Sequence, residues 1–267
     1  MSVLWSSFLS FKHKKQREER YFHDKETRQF FDVLLASAKE RIESIPKGQE
    51  YWRAQLNCDW EPARDLDGSV IDYNVVPYSS ERMKPKSDEA SEGRINSKGI
   101  PCLYLATDEK TALSEVRPWV GSYVTIAQFE TIRELTIIDC SRGEIDPMNV
   151  TACDLDKLWK LGQRTPEDNI KCIWRWVDKE FSEPVDRNDN TADYVPTQII
   201  AELFKTNGFH GIKYKSLFSN GKNLALFDIN AAKQIDDDDG KVIQVTEVNV
   251  DFKQKWPFPF EQKEKRE

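Results

Sequence analysis

The chain has 267 residues, a formal net charge of −7 and a mean hydropathy of −0.68. That length supplies one sizeable core or two small ones, and its 14 Phe, 8 Tyr and 8 Trp exclude a disordered chain, which carries few large apolar groups. So acidic a chain is a poor non-specific binder of nucleic acid, and no apolar run approaches the ~20 residues that cross a bilayer.

The N-terminus, MSVLWSSFLSFKHKKQREERYF, puts its apolar residues before its charges. A secretory signal has the reverse order, so the segment reads as a basic, solvated lead-in. Residues 25 to 45 read as one amphipathic helix, with Phe31, Leu34, Leu35, Ala38, Ile42 and Ile45 at helical spacing. Pro46 and Gly48 stop it. Residues 1–48 are therefore expected to be an arm and a helix packed on the main domain. Gln49 to Leu56 reads as a short strand. Residues 57 to 100 form the longest irregular stretch, too long for a plain connection, and are expected to be disordered or to cover a site, with part of the first half, which holds Tyr73, Val75, Val76 and Tyr78, ordered.

Cys102 to Ala106 alternates as a strand, with Leu103 and Leu105 on one face and Cys102, Tyr104 and Ala106 on the other. Thr107 or Asp108 caps the next helix. Its buried stripe is Ala112, Leu113 and Val116, and Pro118 ends it. Glu134 to Cys140 reads as a strand, 154 to 161 and 168 to 179 as helices, and 182 to 192 as an acidic surface loop. Pro196 to Lys205 reads as a helix stopped by Asn207-Gly208. Gly211 to Tyr214 and Asn223 to Asp228 read as short strands, Asp236 to Gly240 as an acidic turn, and Lys241 to Phe252 as an extended segment before a tail. This order predicts a mixed α/β (α+β) domain over 49–235 and an extended C-terminal segment and tail over 236–267.

Several chemistries lack support. The sequence has no internal repeat, no G-x-G-x-x-G, no G-x-x-x-x-G-K-[ST] and no HExxH. Cys58, Cys102, Cys140, Cys153 and Cys172 form no CxxC pair, and their odd number fits reduced, cytoplasmic thiols. Three histidines, His13, His23 and His210, are too few for a histidine metal centre or a Ser-His-Asp triad. His210 reads as a surface turn residue, and no metal is expected.

The chemistry concentrates in EGRINSKGIPCLYLATDEKTALSEVRP, from Glu92 to Pro118. Arg94 and Asn96 lie between Gly93 and Gly99, in a turn that allows close approach of a ligand. An arginine there can fork onto phosphate or carboxylate. The strand delivers Tyr104, and Glu115 borders the buried stripe of the helix. Spacing alone defines a polar pocket and does not separate a nucleotide from a sugar or an acidic peptide.

Three ordered blocks resemble the RES domain, the toxin component of many bacterial toxin–antitoxin pairs. The first is Tyr51-Trp52-Arg53-Ala54. The second is Gly93-Arg94-x-Asn96-x-x-Gly99, then Leu103-Tyr104-x-Ala106 and Ala112-x-x-Glu115. The third is Gly208-Phe209-x-Gly211-Ile212-x-Tyr214-x-Ser216, then Gly221-x-Asn223-Leu224-x-Leu226-Phe227. They span roughly residues 50 to 230. Ile95 stands where the family often has tryptophan, and Arg117-Pro118 is unlike the commonest compact members.

The resemblance implies an ADP-ribosyltransferase-like bent mixed sheet with peripheral helices. It implies an enzyme that cleaves the nicotinamide–ribose bond of NAD, its substrate, by hydrolysis or phosphorolysis. Carried over residue by residue, it makes Glu115, Arg53 and Tyr104 catalytic. Arg53, Arg94, Asn96, Tyr104, Ser216 and Asn223 then bind the dinucleotide. It also implies an oligomeric assembly, either a homo-oligomer or a complex with a helix-turn-helix antitoxin. A protein ADP-ribosyltransferase, a non-catalytic nucleotide or ADP-ribose module, and an RNA-acting toxin are the alternatives. The acidic charge and the lack of an aromatic–basic stripe count against the last.

Overall fold

The computed structural model describes residues 6–86, 89–142, 165–183, 191–235 and 240–249. Its strands, in chain order, are β1 (Ile42–Ile45), β2 (Glu50–Leu56), β3 (Asp59–Arg64), β4 (Val70–Val76), β5 (Leu103–Ala106), β6 (Tyr123–Thr131), β7 (Leu135–Asp139), β8 (Gly211–Lys215), β9 (Lys222–Leu226), β10 (Ala232–Gln234) and β11 (Lys241–Gln244). The helices are α1 (Ser7–Arg17), α2 (Lys25–Ala38), α3 (Glu109–Glu115), α4 (Pro166–Ser182) and α5 (Val195–Thr206).

The fold is mixed α/β. Nine strands form one sheet in the order β1-β7-β8-β9-β5-β2-β6-β10, with β11 also on β6. Only β7 and β8 pair in parallel; the other described pairings are antiparallel. β3 and β4 form a separate two-stranded ribbon.

Alternation along β5 separates two apolar layers. Leu103 and Leu105 join Phe129, Leu135, Ile137, Leu224 and Leu226, covered by Tyr78 and Met83. Cys102 and Tyr104 face the opposite layer, with Ile138, Ile212 and Ala225 under α1, α2, α4 and α5. Phe8, Phe30, Trp174 and Phe204 interlock there; the rings of Phe11 and Phe30 stack at 4.9 Å. The third helix of the chain, α3, packs Ala112 against Ala54, Ala106, Val124 and Ile126.

Three expectations need correction and one is filled in. The basic lead-in is a helix, α1, that buries Phe8 and Phe11. Even Lys15 is covered, its stem lying on apolar surface while Nζ donates to Phe22 O at 2.7 Å. The helix expected over 25–45 ends at Ala38, followed by one 3-10 turn (Lys39–Arg41), because Ile42 and Ile45 pair with Ile138 and Leu135 in β1–β7. The irregular stretch 57–100 contains the β3–β4 ribbon. His210 ties strands together: its Nδ1 accepts from Thr136 N at 2.8 Å, and its own N–H donates to Thr136 O at 2.8 Å.

Smaller adjustments follow from caps. Thr165 and Asp168 form a reciprocal capping box, so α4 starts at Pro166 and runs to Ser182. Gly208, at φ 86°, takes the left-handed turn after α5 that closes a helix. The helix expected over 154–161, most of the acidic loop after 182 and the tail after 249 lie outside the described residues.

Candidate active site

The sheet splits in its middle, and the split makes the cleft. β5 pairs with β9 along four residues, but with β2 only at Trp52 and Ala106. Arg53, on β2, fills the gap. Its Nη1 donates to Tyr104 O at 2.8 Å, and its Nε donates to Met83 O. The guanidinium meets no carboxylate among the described residues, and burial pulls its pKa down to about 10. A buried cation without an acid partner is costly, and an anionic ligand would relieve that cost.

Above the split lies a cleft of about 570 Å³, lined by Arg53, Arg94, Tyr104, Glu115, Arg117 and Asn223, among others. Glu115 ends α3, which Asp108 starts: Asp108 Oδ1 accepts from Thr111 N at 2.8 Å. Glu115 Oε1 accepts two hydrogen bonds, from Ser216 Oγ at 2.6 Å and from Asn223 Nδ2 at 2.7 Å. Ser216 follows β8 and Asn223 lies in β9; both are buried. Ser216 is itself fixed, because its Oγ also accepts from Phe218 N at 3.1 Å. No described residue donates to Glu115 Oε2. The carboxylate is thus held from one side with its other oxygen left for a ligand.

Arg94 enters from the turn after Gly93. Its Nη1 donates to Phe181 O and its Nη2 to Glu183 O at 2.7 Å, so it caps the carbonyl end of α4. These bonds use two of its five N–H groups, and the residue also lines the cleft.

Tyr104 and Asn96 are placed differently. The Tyr104 hydroxyl donates to Asn96 Oδ1 at 2.7 Å and accepts from Ile95 N at 3.0 Å. Burial raises its pKa well above the ordinary phenol value. Asn96 Nδ2 is within reach of Ser91 O at 2.9 Å and Ile100 O at 2.8 Å. Asn96 is buried and its polar atoms are consumed inside the loop, so its place is structural: it shapes the turn that presents Arg94 and touches no cleft surface. Gly93 is required beside this pair, since a Cβ there would stand 2.6 Å from Tyr104 Oη and 2.8 Å from Asn96 Oδ1.

Five of the seven residues singled out from the sequence, Arg53, Arg94, Tyr104, Glu115 and Asn223, line one cleft. Ser216 reaches it through Glu115, and Asn96 stands behind it. Sequence reasoning missed three contributors. Gln198 of α5 is buried with its amide nitrogen 2.9 Å from Gly93 O and 3.1 Å from Asn96 O. Thr197 Oγ1 donates to Arg94 O at 2.7 Å. Arg117 lines the cleft directly. Two polar residues inside the apolar run of α5 were the available signal for the first two. Among the described residues no group of three or more His, Cys, Asp and Glu is arranged to hold a metal ion.

The class of the molecule is a mixed α/β protein whose split sheet lies beneath a cleft lined by three arginines and one acid anchored by neutral donors. Residues 50–261 match the family model of the RES domain, and the chain belongs to that family. Among solved structures, the M. tuberculosis MbcT–MbcA toxin–antitoxin complex is similar at 12% identity and a TM-score of 0.38, over 80% of this chain and 93% of that one. No curated protein matches the sequence. No described helix is long and apolar enough to cross a membrane.

Proposed function

We propose that this RES-domain protein is a toxin-type enzyme that consumes NAD, cleaving the nicotinamide–ribose bond by hydrolysis or phosphorolysis. The observation that carries the reading is the Glu115 carboxylate, fixed through Oε1 by Ser216 and Asn223, beside arginines that lack acid partners among the described residues.

The chemistry suits these groups. As the bond between ribose C1′ and the nicotinamide nitrogen breaks, its electron pair leaves with neutral nicotinamide. Positive, oxocarbenium character grows on the ribose. A fixed carboxylate stabilises that charge without reorganising, an effect typically worth ~3–4 kcal/mol for one well-placed group. Glu115 Oε2 faces this task or holds the ribose hydroxyls. Arg53 and Arg94 hold the diphosphate. An oxygen of water or of inorganic phosphate then bonds to C1′; when it is water, the proton it loses passes to solvent, since nicotinamide leaves as a neutral base. Tyr104 lines the cleft and supports the reaction by holding the Arg94 turn through Ile95 N and Asn96. A cytoplasmic location and neutralisation by a helix-turn-helix antitoxin belong to the same reading and rest on family membership alone.

The test is nicotinamide release from NAD by the purified protein, with and without inorganic phosphate. ADP-ribose as product in both conditions supports hydrolysis; a phosphorylated ADP-ribose formed only with phosphate supports phosphorolysis. Intact NAD in both overturns the proposal.

A further inference from the structure

Three arginines line the cleft, and two of them each spend part of their N–H groups on backbone carbonyls. Arg53 donates to Met83 O and Tyr104 O, and Arg94 to Phe181 O and Glu183 O. Arg117 differs. Its guanidinium lies over the Phe218 ring, 4.9 Å from the centroid, and meets neither a carboxylate nor a carbonyl among the described residues. An aromatic face holds a cation while leaving its N–H edges unspent.

The backbone at Arg117 is strained. Its φ is 47°, in the left-handed region, and the next residue is Pro118. Non-glycine residues avoid that region, and proline further restricts the residue before it. Such strain persists where surrounding structure imposes it, and it clusters at ligand sites. Here it turns the chain directly after Glu115, so that residues 115 and 117 both face the cleft. The same two segments are joined twice: Glu115 Oε1 accepts from Ser216 Oγ, and Arg117 covers Phe218. Ser216 Oγ also accepts from Phe218 N. The acid and the free cation are therefore set by one loop.

We infer that Arg117, steadied by Phe218, is the cleft's anion clamp and takes phosphate oxygens beside Glu115. The phosphate belongs either to the substrate's diphosphate or to free inorganic phosphate acting as acceptor. The inference rests on the reading of this cleft as the NAD site, and it adds to the contacts of Arg53 and Arg94 a phosphate contact from a cation that spends no N–H group on a described residue.

The test titrates the full chain and two variants, Arg117→Gln and Arg117→Gly, with inorganic pyrophosphate, inorganic phosphate and ADP-ribose by calorimetry. Both variants should bind at least about 10-fold more weakly, as expected for losing one charge-assisted contact. Weakened pyrophosphate and ADP-ribose assign the clamp to the substrate's diphosphate; weakened phosphate alone assigns it to the acceptor. Arg117→Gly should also raise Tm by about 2–4 °C, since glycine accepts positive φ without strain, so weaker binding cannot be ascribed to unfolding. Equal affinities in all three proteins, or no binding of any probe by the unaltered protein, overturn the inference. If the unaltered protein releases nicotinamide while the variants bind as it does, only the clamp fails. If Arg117-dependent pyrophosphate binding occurs without nicotinamide release, only the NAD reading fails.

Discussion

Ser216 Oγ donates to Glu115 Oε1 at 2.6 Å, joining positions 101 residues apart in the chain. The bond links the end of α3 to the loop between β8 and β9, across the cleft wall. It also fixes which carboxylate oxygen is engaged, because Asn223 donates to the same atom. Ser216→Ala should leave Glu115 held by Asn223 alone. A hydrogen bond to a charged group is worth ~1.5–3 kcal/mol, so kcat for nicotinamide release should fall by about 10- to 100-fold. Steady-state kinetics at saturating NAD checks this, and an unchanged kcat would show that the bond does not serve the reaction.

Asn96 and Tyr104 should behave as parts of the frame. Asn96→Ala leaves the Tyr104 hydroxyl and the carbonyls of Ser91 and Ile100 without their partner. Unpaired buried groups cost about 1–3 kcal/mol each, so Tm should drop by several degrees in a domain of this size. Differential scanning calorimetry measures it. A variant as stable as the unaltered protein but with a raised KM for NAD would instead return Asn96 to the binding surface.

Gly221 controls the start of α3. A Cβ at this position would overlap Asp108 Oδ2 and Thr111 Oγ1, the two groups that close the helix N-terminus. Gly221→Ala must push both side chains aside and so displace that cap, which typically contributes ~1 kcal/mol. Both a lower Tm and a loss of turnover are expected, since α3 carries Glu115. Melting curves and nicotinamide release measured together detect the pair of effects; a fully active, fully stable variant would contradict this packing.

Asp178 should impose a pH-dependent penalty on the fold. Burial pushes its carboxyl above the ordinary carboxylate range, and Oδ1 has no hydrogen-bond partner among the described residues. The folded state keeps the proton to higher pH than the unfolded state does, so stability falls as pH rises through that window. Asp178→Asn removes the penalty. Its Tm should exceed that of the unaltered protein at pH 7, and the gap should close below about pH 4. Lys215, ion-paired with Asp178 at 3.4 Å, is partly exposed and can turn to water in the variant. A gap that is constant with pH would refute the cause given.

Local patterns were readable where one face is apolar and the other is not. β5 alternates, α3 has its cap and stripe, and Gly208 marks the end of α5; each is visible in a few residues. β6 left no such trace. Val124, Thr125, Ile126 and Ala127 are all buried, so alternation is lost. Thr125 and Thr131 look like surface residues in sequence, yet they donate to Asn57 O at 2.9 Å and Pro46 O at 2.7 Å. The lead-in was misread because a run of Lys and Arg masks Phe8 and Phe11, whose partners Phe30 and Trp176 are distant in sequence. In the cleft, residue types, the glycine-flanked turn and the helical stripe pointed to Arg94, Tyr104 and Glu115, while Arg53 came from the resemblance to the RES domain. Which groups were spent on backbone carbonyls was not legible, because Phe181, Glu183 and Met83 belong to other segments. Gln198 and Arg117 act through such long-range contacts too.

Glu115→Gln is the most direct test of the whole account. The substitution keeps the side chain's size, and the remaining amide oxygen can still accept from Ser216 and Asn223. Only the charge beside the breaking bond is lost. Nicotinamide release from NAD should fall by about 100-fold or more, while Tm stays within about 2 °C of the unaltered protein. Release at the unaltered rate by a folded Glu115→Gln protein would contradict the account.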